Sequence, residues 1–249
     1  MYSRIILFPL KFLIFIFVVT FIFQETSQAS VTILGSRIIY PGNAASVDVQ
    51  LKNNDKFPYV IQTWFDDGNM DSKPADQRTV PFIATPPVFR IQPLAGQIVR
   101  VVFTTEKVLP QDRETVYWFN SLQIPPSNLA SESGKNSMLL MLRNRIKVFY
   151  RPVAIGKPGN IFERVKVDIT HDSVEVTNEQ PWYLSLVDVS LKSGDKKISC
   201  QADMIAPFSK QRFTCKSAFN RSPGERIVSL SVMNDQGARV SENYPIIIR

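Results

Sequence analysis

The apolar residues of this chain come in short runs of alternating or nearly continuous pattern, each closed by a cluster of proline, glycine or asparagine. Ser46-Val-Asp-Val-Gln-Leu51, Ile98-Val-Arg-Val-Val-Phe103 and Val165-Lys-Val-Asp-Ile169 are such runs, and Tyr40-Pro-Gly-Asn43, Asp66-Asp-Gly-Asn69 and Asn234-Asp-Gln-Gly237 are such closures. A period of two with β-branched and aromatic residues gives strands, and the clusters between them give turns. No stretch carries a convincing amphipathic helix. Short strands at regular spacing over about 100 residues are the pattern of an immunoglobulin-like β-sandwich, and here the pattern runs twice. Arg151-Pro-Val-Ala-Ile-Gly-Lys-Pro-Gly-Asn160 interrupts it with prolines and glycines that neither sheet could absorb. The sequence therefore predicts an all-β chain of two immunoglobulin-like domains, over residues 30–152 and 153–249.

Ahead of the first strand, Arg4 and Lys11 are followed by the apolar stretch Phe12 to Phe23 and then by the small-x-small site Ser27-Gln28-Ala29. That order is a secretory signal peptide, residues 1–29, with cleavage expected after Ala29. The alternative, an uncleaved anchor, suits the segment less well, because a spanning helix needs roughly 20 apolar residues. The charge of +7 becomes +6 once Arg4, Lys11 and Glu25 are removed. A basic excess suits acidic partners, but export argues against nucleic acid, and the cations are spread without a long run. The two cysteines, Cys200 and Cys215, read as one disulfide in an oxidising compartment, with two free thiols the less favoured alternative. The single histidine, His171, is far from them in sequence, so a zinc site is not expected, nor is any other metal or cofactor.

The segment Met138-Leu-Leu-Met-Leu-Arg-Asn-Arg-Ile-Lys-Val-Phe-Tyr150 starts apolar on both faces and alternates with charge only later. As a strand it places Met138, Leu140, Leu142, Asn144, Ile146 and Val148 on one face and Leu139, Met141, Arg143, Arg145 and Lys147 on the other. Periodicity alone favours a central strand covered on both faces. The alternative is an edge strand, which would be an aggregation hazard unless a partner strand docks there.

Arg113-Glu-Thr-Val-Tyr-Trp-Phe-Asn-Ser-Leu-Gln-Ile-Pro-Pro126, followed by Asn144-Arg-Ile-Lys-Val-Phe-Tyr-Arg-Pro152, closely resembles the signature of the PapD-like periplasmic pilus chaperones. Ser36-Arg-Ile-Ile-Tyr-Pro-Gly42, Ala84-Thr-Pro-Pro-Val-Phe-Arg-Ile-Gln-Pro93 and Asn234-Asp-Gln-Gly237 match in the family's order, so the resemblance covers nearly the whole exported chain. It implies two domains set at an angle with a cleft between them, and a chaperone that stabilises pilus subunits by lending a strand and delivers them to an outer-membrane usher. Arg37 and Lys147 match the cations that grip the subunit's C-terminal carboxylate. Met138, Leu140 and Leu142 match the alternating residues that enter the subunit's open groove, and Glu114, Arg151 and Asp235 match a charged network between the domains. The short, cysteine-free connection Pro125 to Ser137 resembles the short-loop subclass. The exposed strand also leaves room for self-association.

Two other readings fit the sequence less well. A hydrolase is disfavoured because His171-Asp-Ser173 are adjacent and cannot converge as base, orienter and nucleophile, and no Gly-x-Ser-x-Gly elbow is present. Asp66 and Asp67 read as turn residues with no apolar context to raise a pKa. A pilin or adhesin would be expected to carry a donor extension or lack its last strand, whereas Val31-Thr-Ile-Leu34 and Tyr244 to Ile248 read as strands at both ends.

Overall fold

The computed structural model describes residues 30–104, 108–127, 139–170, 172–193, 196–216 and 224–248. Residues 1–29, His171, Met138 and residues 128–137 of the Pro125–Ser137 connection lie outside them.

The first domain contains β1 (Val31–Ile33), β2 (Arg37–Pro41), β3 (Val47–Asn53), β4 (Tyr59–Asp66), β5 (Phe82–Thr85), β6 (Val88–Ile91), β7 (Gly96–Phe103), β8 (Thr115–Ile124) and β9 (Leu142–Arg151). They form two facing sheets, ordered β1-β3-β7-β5 and β2-β9-β8-β4-β6. Alternation builds the core: Val49, Leu51 and Asn53 of β3 point inward while Asp48, Gln50 and Lys52 face water. Between the sheets, Phe82 meets Tyr40, Phe65, Phe103 and Tyr117 at ring-centroid distances of 5.3 to 5.6 Å, within the range of favourable aromatic pairs. The N-terminal segment changes sheets: β1 pairs with β3, and β2 pairs in parallel with β9. Gly35 lies between them at a φ of 110°, a backbone region that side chains disfavour.

The second domain contains β10 (Val165–Ile169), β11 (Ser173–Asn178), β12 (Leu184–Ser193), β13 (Lys196–Cys200), β14 (Met204–Ile205), β15 (Ser209–Thr214), β16 (Gly224–Met233) and β17 (Arg239–Ile248). Its sheets are β10-β11-β15 and β13-β12-β16-β17, with β14 also on β12. It has its own core, centred on Val174, Val176, Leu191, Ile205, Phe213 and Leu230. Cys200 ends β13 and Cys215 follows β15, so their disulfide ties the two sheets together.

The two domains share a local device. Asn53, at the end of β3, donates to the carbonyls of Phe57 and Gln92 at 2.8 and 2.9 Å. Asn178, at the end of β11, donates to those of Trp182 and Ala206 at 2.8 and 3.0 Å. Each is fully buried and fastens the turn that follows its strand.

The strand expected from Met138 begins four residues later, at Leu142. Its ladder with β8 ends at Gln123↔Leu142, and the next residues on the β8 side include Pro125 and Pro126, which have no N–H to donate. Residues 139–141 therefore lie outside a strand.

Candidate functional site at the open edge of β9

On one side, β9 pairs with β8 from Leu142 to Tyr150. On the other it pairs with β2, but only from Lys147 to Arg151. Among the described residues, the second edge from Leu142 to Ile146 has no strand beside it. The face expected to point inward does so where the domain can cover it: Val148 and Tyr150 are buried and Ile146 packs against the core. Beyond the end of the domain the cover stops. Leu139, Leu140, Met141 and Leu142 are 51%, 67%, 53% and 42% exposed, four consecutive large apolar side chains of the kind that mark a docking surface.

The open edge ends at two cations. Arg37 and Lys147 are register partners, the first pair of the parallel β2–β9 ladder. Arg37 donates from Nη1 to the Met233 carbonyl of the second domain at 3.0 Å, and its guanidinium lies 5.9 Å from the Phe149 ring centroid. Its Nε is buried with no hydrogen-bond partner among the described residues. The Lys147 ammonium likewise has no hydrogen-bonded or ion-paired partner among them. Burial pulls the pKa of Lys147 below the ordinary lysine value; Asp203 works against that, and Arg37 and Arg145 add to it. Burial also lowers that of Arg37, against the pull of Asp235 and Glu114. Two half-buried cations abreast with unused donors repel each other, and an anion placed between them would be held by charge-assisted hydrogen bonds.

Behind this pair the domains are joined through Arg151. Its Nε donates to Glu114 Oε1 at 2.7 Å, and Nη1 and Nη2 donate to Asp235 Oδ2 and Oδ1 at 2.6 and 2.9 Å. The second Glu114 oxygen accepts the Tyr183 N–H at 2.8 Å, so this one carboxylate bridges both domains. Burial pushes the Glu114 carboxyl up, against the opposing influence of Arg151 and the Tyr183 N–H. The rings of Phe149 and Tyr183 meet at 5.5 Å across the same junction.

A second cluster, not evident from the sequence, lies on the outward face of β9. Asp66 is the last residue of β4, only 3% exposed, and not a turn residue. Arg145 donates to it from Nε at 2.9 Å and from Nη2 at 2.5 Å, Asn120 donates at 2.7 Å and the Gly68 N–H at 2.8 Å. Burial opposes its charge, yet these donors outweigh burial and hold the carboxyl below the usual range. Arg143 and Arg145 lie over the Trp64 and Trp118 rings at 4.9 and 4.5 Å. The available signal was the spacing of Arg143 and Arg145, which share a face with Lys147.

Residues 30–156 match the family model described as pili and flagellar-assembly chaperone, PapD N-terminal domain, and residues 161–244 match that of the pili assembly chaperone PapD, C-terminal domain. The chaperone protein MrkB of Klebsiella pneumoniae is 34% identical, over 89% of this chain and 94% of its own. The chaperone protein PapD of Escherichia coli is 32% identical, over 86% of this chain and 85% of its own. The crystal structure of the YadV chaperone superposes with a TM-score of 0.73 at 34% identity, covering 88% of this chain and all of that one. With both of its domains matched in order, the chain belongs to the PapD family of pilus-assembly chaperones.

Proposed function

We propose that this chain is a periplasmic chaperone that captures fimbrial subunits by lending them the segment Met138–Ile146, holds them folded and passes them to an outer-membrane usher. The carrying observation is the β9 edge that, among the described residues, is open over Leu142–Ile146 and closes at Arg37 and Lys147, two half-buried cations with donors to spare. A strand lying on that edge with its C-terminal carboxylate at the two cations runs parallel to β9, in line with β2. Anchoring one end fixes register, and register decides which side chains are inserted, since a slip of one residue would present the other face. In an extended donor strand Leu140 would lie about 23 Å from Lys147 at roughly 3.3 Å per residue. Leu140 and Leu142, with Met138 ahead of them, then fill the groove of a subunit that lacks a strand. Each contributes on the order of 1.5–3 kcal/mol when fully buried, before ordering costs.

In this reading Glu114, Arg151 and Asp235 set the angle between domains divided at residues 152 and 153, and the chain acts as a binding protein that needs no catalysis or cofactor. Residues 1–29 direct export and are removed. The short Pro125–Ser137 connection puts the chain with short-loop chaperones, and in the absence of subunit the open edge is available to a second copy.

Co-expression with cognate subunits tests the anchor. Lys147→Ala and Arg37→Ala should each abolish the recovered complex while the free chaperone stays folded, and normal recovery from both would exclude anchoring at these residues.

A further inference from the structure

Strand donation leaves open what keeps the open half of β9, Leu142–Ile146, extended before a subunit arrives. Among the described residues, β9 has a strand on one side only over Leu142–Ile146, and its inward face runs off the end of the core. Such a segment would be expected to fray. On its inward face the side-chain tie is weak, a 3.4 Å contact from Asn144 Nδ2 to the Val31 carbonyl.

The outward face is braced instead. Arg143 donates to the Met70 carbonyl at 2.7 Å, to Ser72 Oγ at 3.1 Å and to Asn120 Oδ1 at 2.8 Å. Ser72 also accepts from the Trp64 indole at 3.1 Å, so Arg143 is fixed to the loop that follows β4 as well as to β8. Arg145 reaches past its register partner Asn120 to Asp66, two strands away in the order β9-β8-β4. The Asp66 carboxylate thus joins Arg145, Asn120 and the Gly68 N–H at one point, with a Trp ring packed against each arginine. The brace crosses β9 at residues 143 and 145, within the stretch where β2 is missing.

We infer that Asp66 is a positioning residue for strand donation: through Arg145 and Asn120 it holds the open half of β9 extended, so that capture does not have to order it. It touches neither the groove residues nor the carboxylate anchor. This inference rests on the strand-donation reading for its effect on capture, but not for its effect on the free protein.

The test uses Asp66→Asn, which keeps the shape and removes the charge, and Arg145→Lys, which keeps a cation beside the buried Asp66 carboxylate but loses the two-pronged hydrogen bond, so that no charge is stranded if the first variant does not fold. Hydrogen exchange is followed in the free chaperone at the β9 amides bonded to β8 and at amides of β3 and β7. The expected result is exchange about tenfold faster in Leu142–Ile146 with β3 and β7 unchanged, and subunit capture slowed several-fold. Lys147→Ala should leave the exchange pattern as it is. Unchanged exchange in β9, or a rise shared by β3 and β7 in step with lower global stability, would overturn the inference, because the cluster would then be ordinary stabilisation. Local fraying with undiminished capture would overturn it too. If the wild-type chain itself captures no subunit, strand donation fails, and local fraying still supports the brace.

Discussion

Removing the Arg151 guanidinium, as in Arg151→Met, leaves Glu114 buried at 3% exposure with one remaining donor among the described residues, the Tyr183 N–H, for its two oxygens. Asp235, whose side chain is 25% exposed, can recover water and loses less. Breaking one partner out of a buried pair costs about 3–5 kcal/mol, most of it from the stranded charge, against a total stability of about 5–15 kcal/mol. Glu114→Gln is milder, about 1–3 kcal/mol, since Arg151 keeps its bidentate partner Asp235. In the double variant no charge is stranded and the Gln carbonyl can still accept the Tyr183 N–H, so its cost should fall short of the summed single costs by about 2–3 kcal/mol. Urea unfolding of the four proteins gives this coupling energy. The sign with pH follows from burial. In Arg151→Met the Glu114 pKa rises further above its unfolded value, so the folded state is favoured where the carboxyl is protonated and loses that advantage as pH rises through the folded pKa. The variant's defect should therefore shrink on acidification toward the ordinary glutamate value of about 4.3. Additive single costs, within about 0.5 kcal/mol, would refute the reasoning.

Capture should weaken at alkaline pH. It is full while Lys147 is charged and declines as pH rises through a pKa that burial, helped by Arg37 and Arg145 and opposed by Asp203, holds below 10.5; Lys147→Arg should remove the decline in a binding titration. Gly237→Ala should loosen the anchor from the second domain, because Gly237 has a φ of +77° and an added Cβ would sit 2.9 Å from Ser36 Oγ, next to Arg37. Backbone strain of about 1–2 kcal/mol should appear in unfolding, together with weaker capture.

The paired sandwiches were legible because half-buried strands carry a period of two and their turns have few chemical solutions, as at Tyr40-Pro-Gly-Asn43 and Asn234-Asp-Gln-Gly237. Lys147 and Arg37 were legible only through a motif, since a single cation in a strand looks like any surface charge until the parallel ladder sets the two abreast. The exposure of Leu140 and Leu142 was hidden for a physical reason. An apolar run reads the same whether or not its own domain covers it, and it is the short β2 and the proline end of β8 that leave this one uncovered among the described residues. The burial of Asp66 is not legible locally, because it depends on Arg145, nearly 80 residues away in sequence.

Donation of alternate side chains is tested most directly by thiol labelling of Leu140→Cys, Met141→Cys and Leu142→Cys, one at a time, before and after subunit capture. The two natural cysteines are joined in a disulfide and leave the background clear. All three positions are exposed in the free chaperone, at 67%, 53% and 42%. Positions 140 and 142 should become protected in the complex while position 141 stays reactive. Equal protection at all three, or none at 140 and 142, would contradict a lent strand.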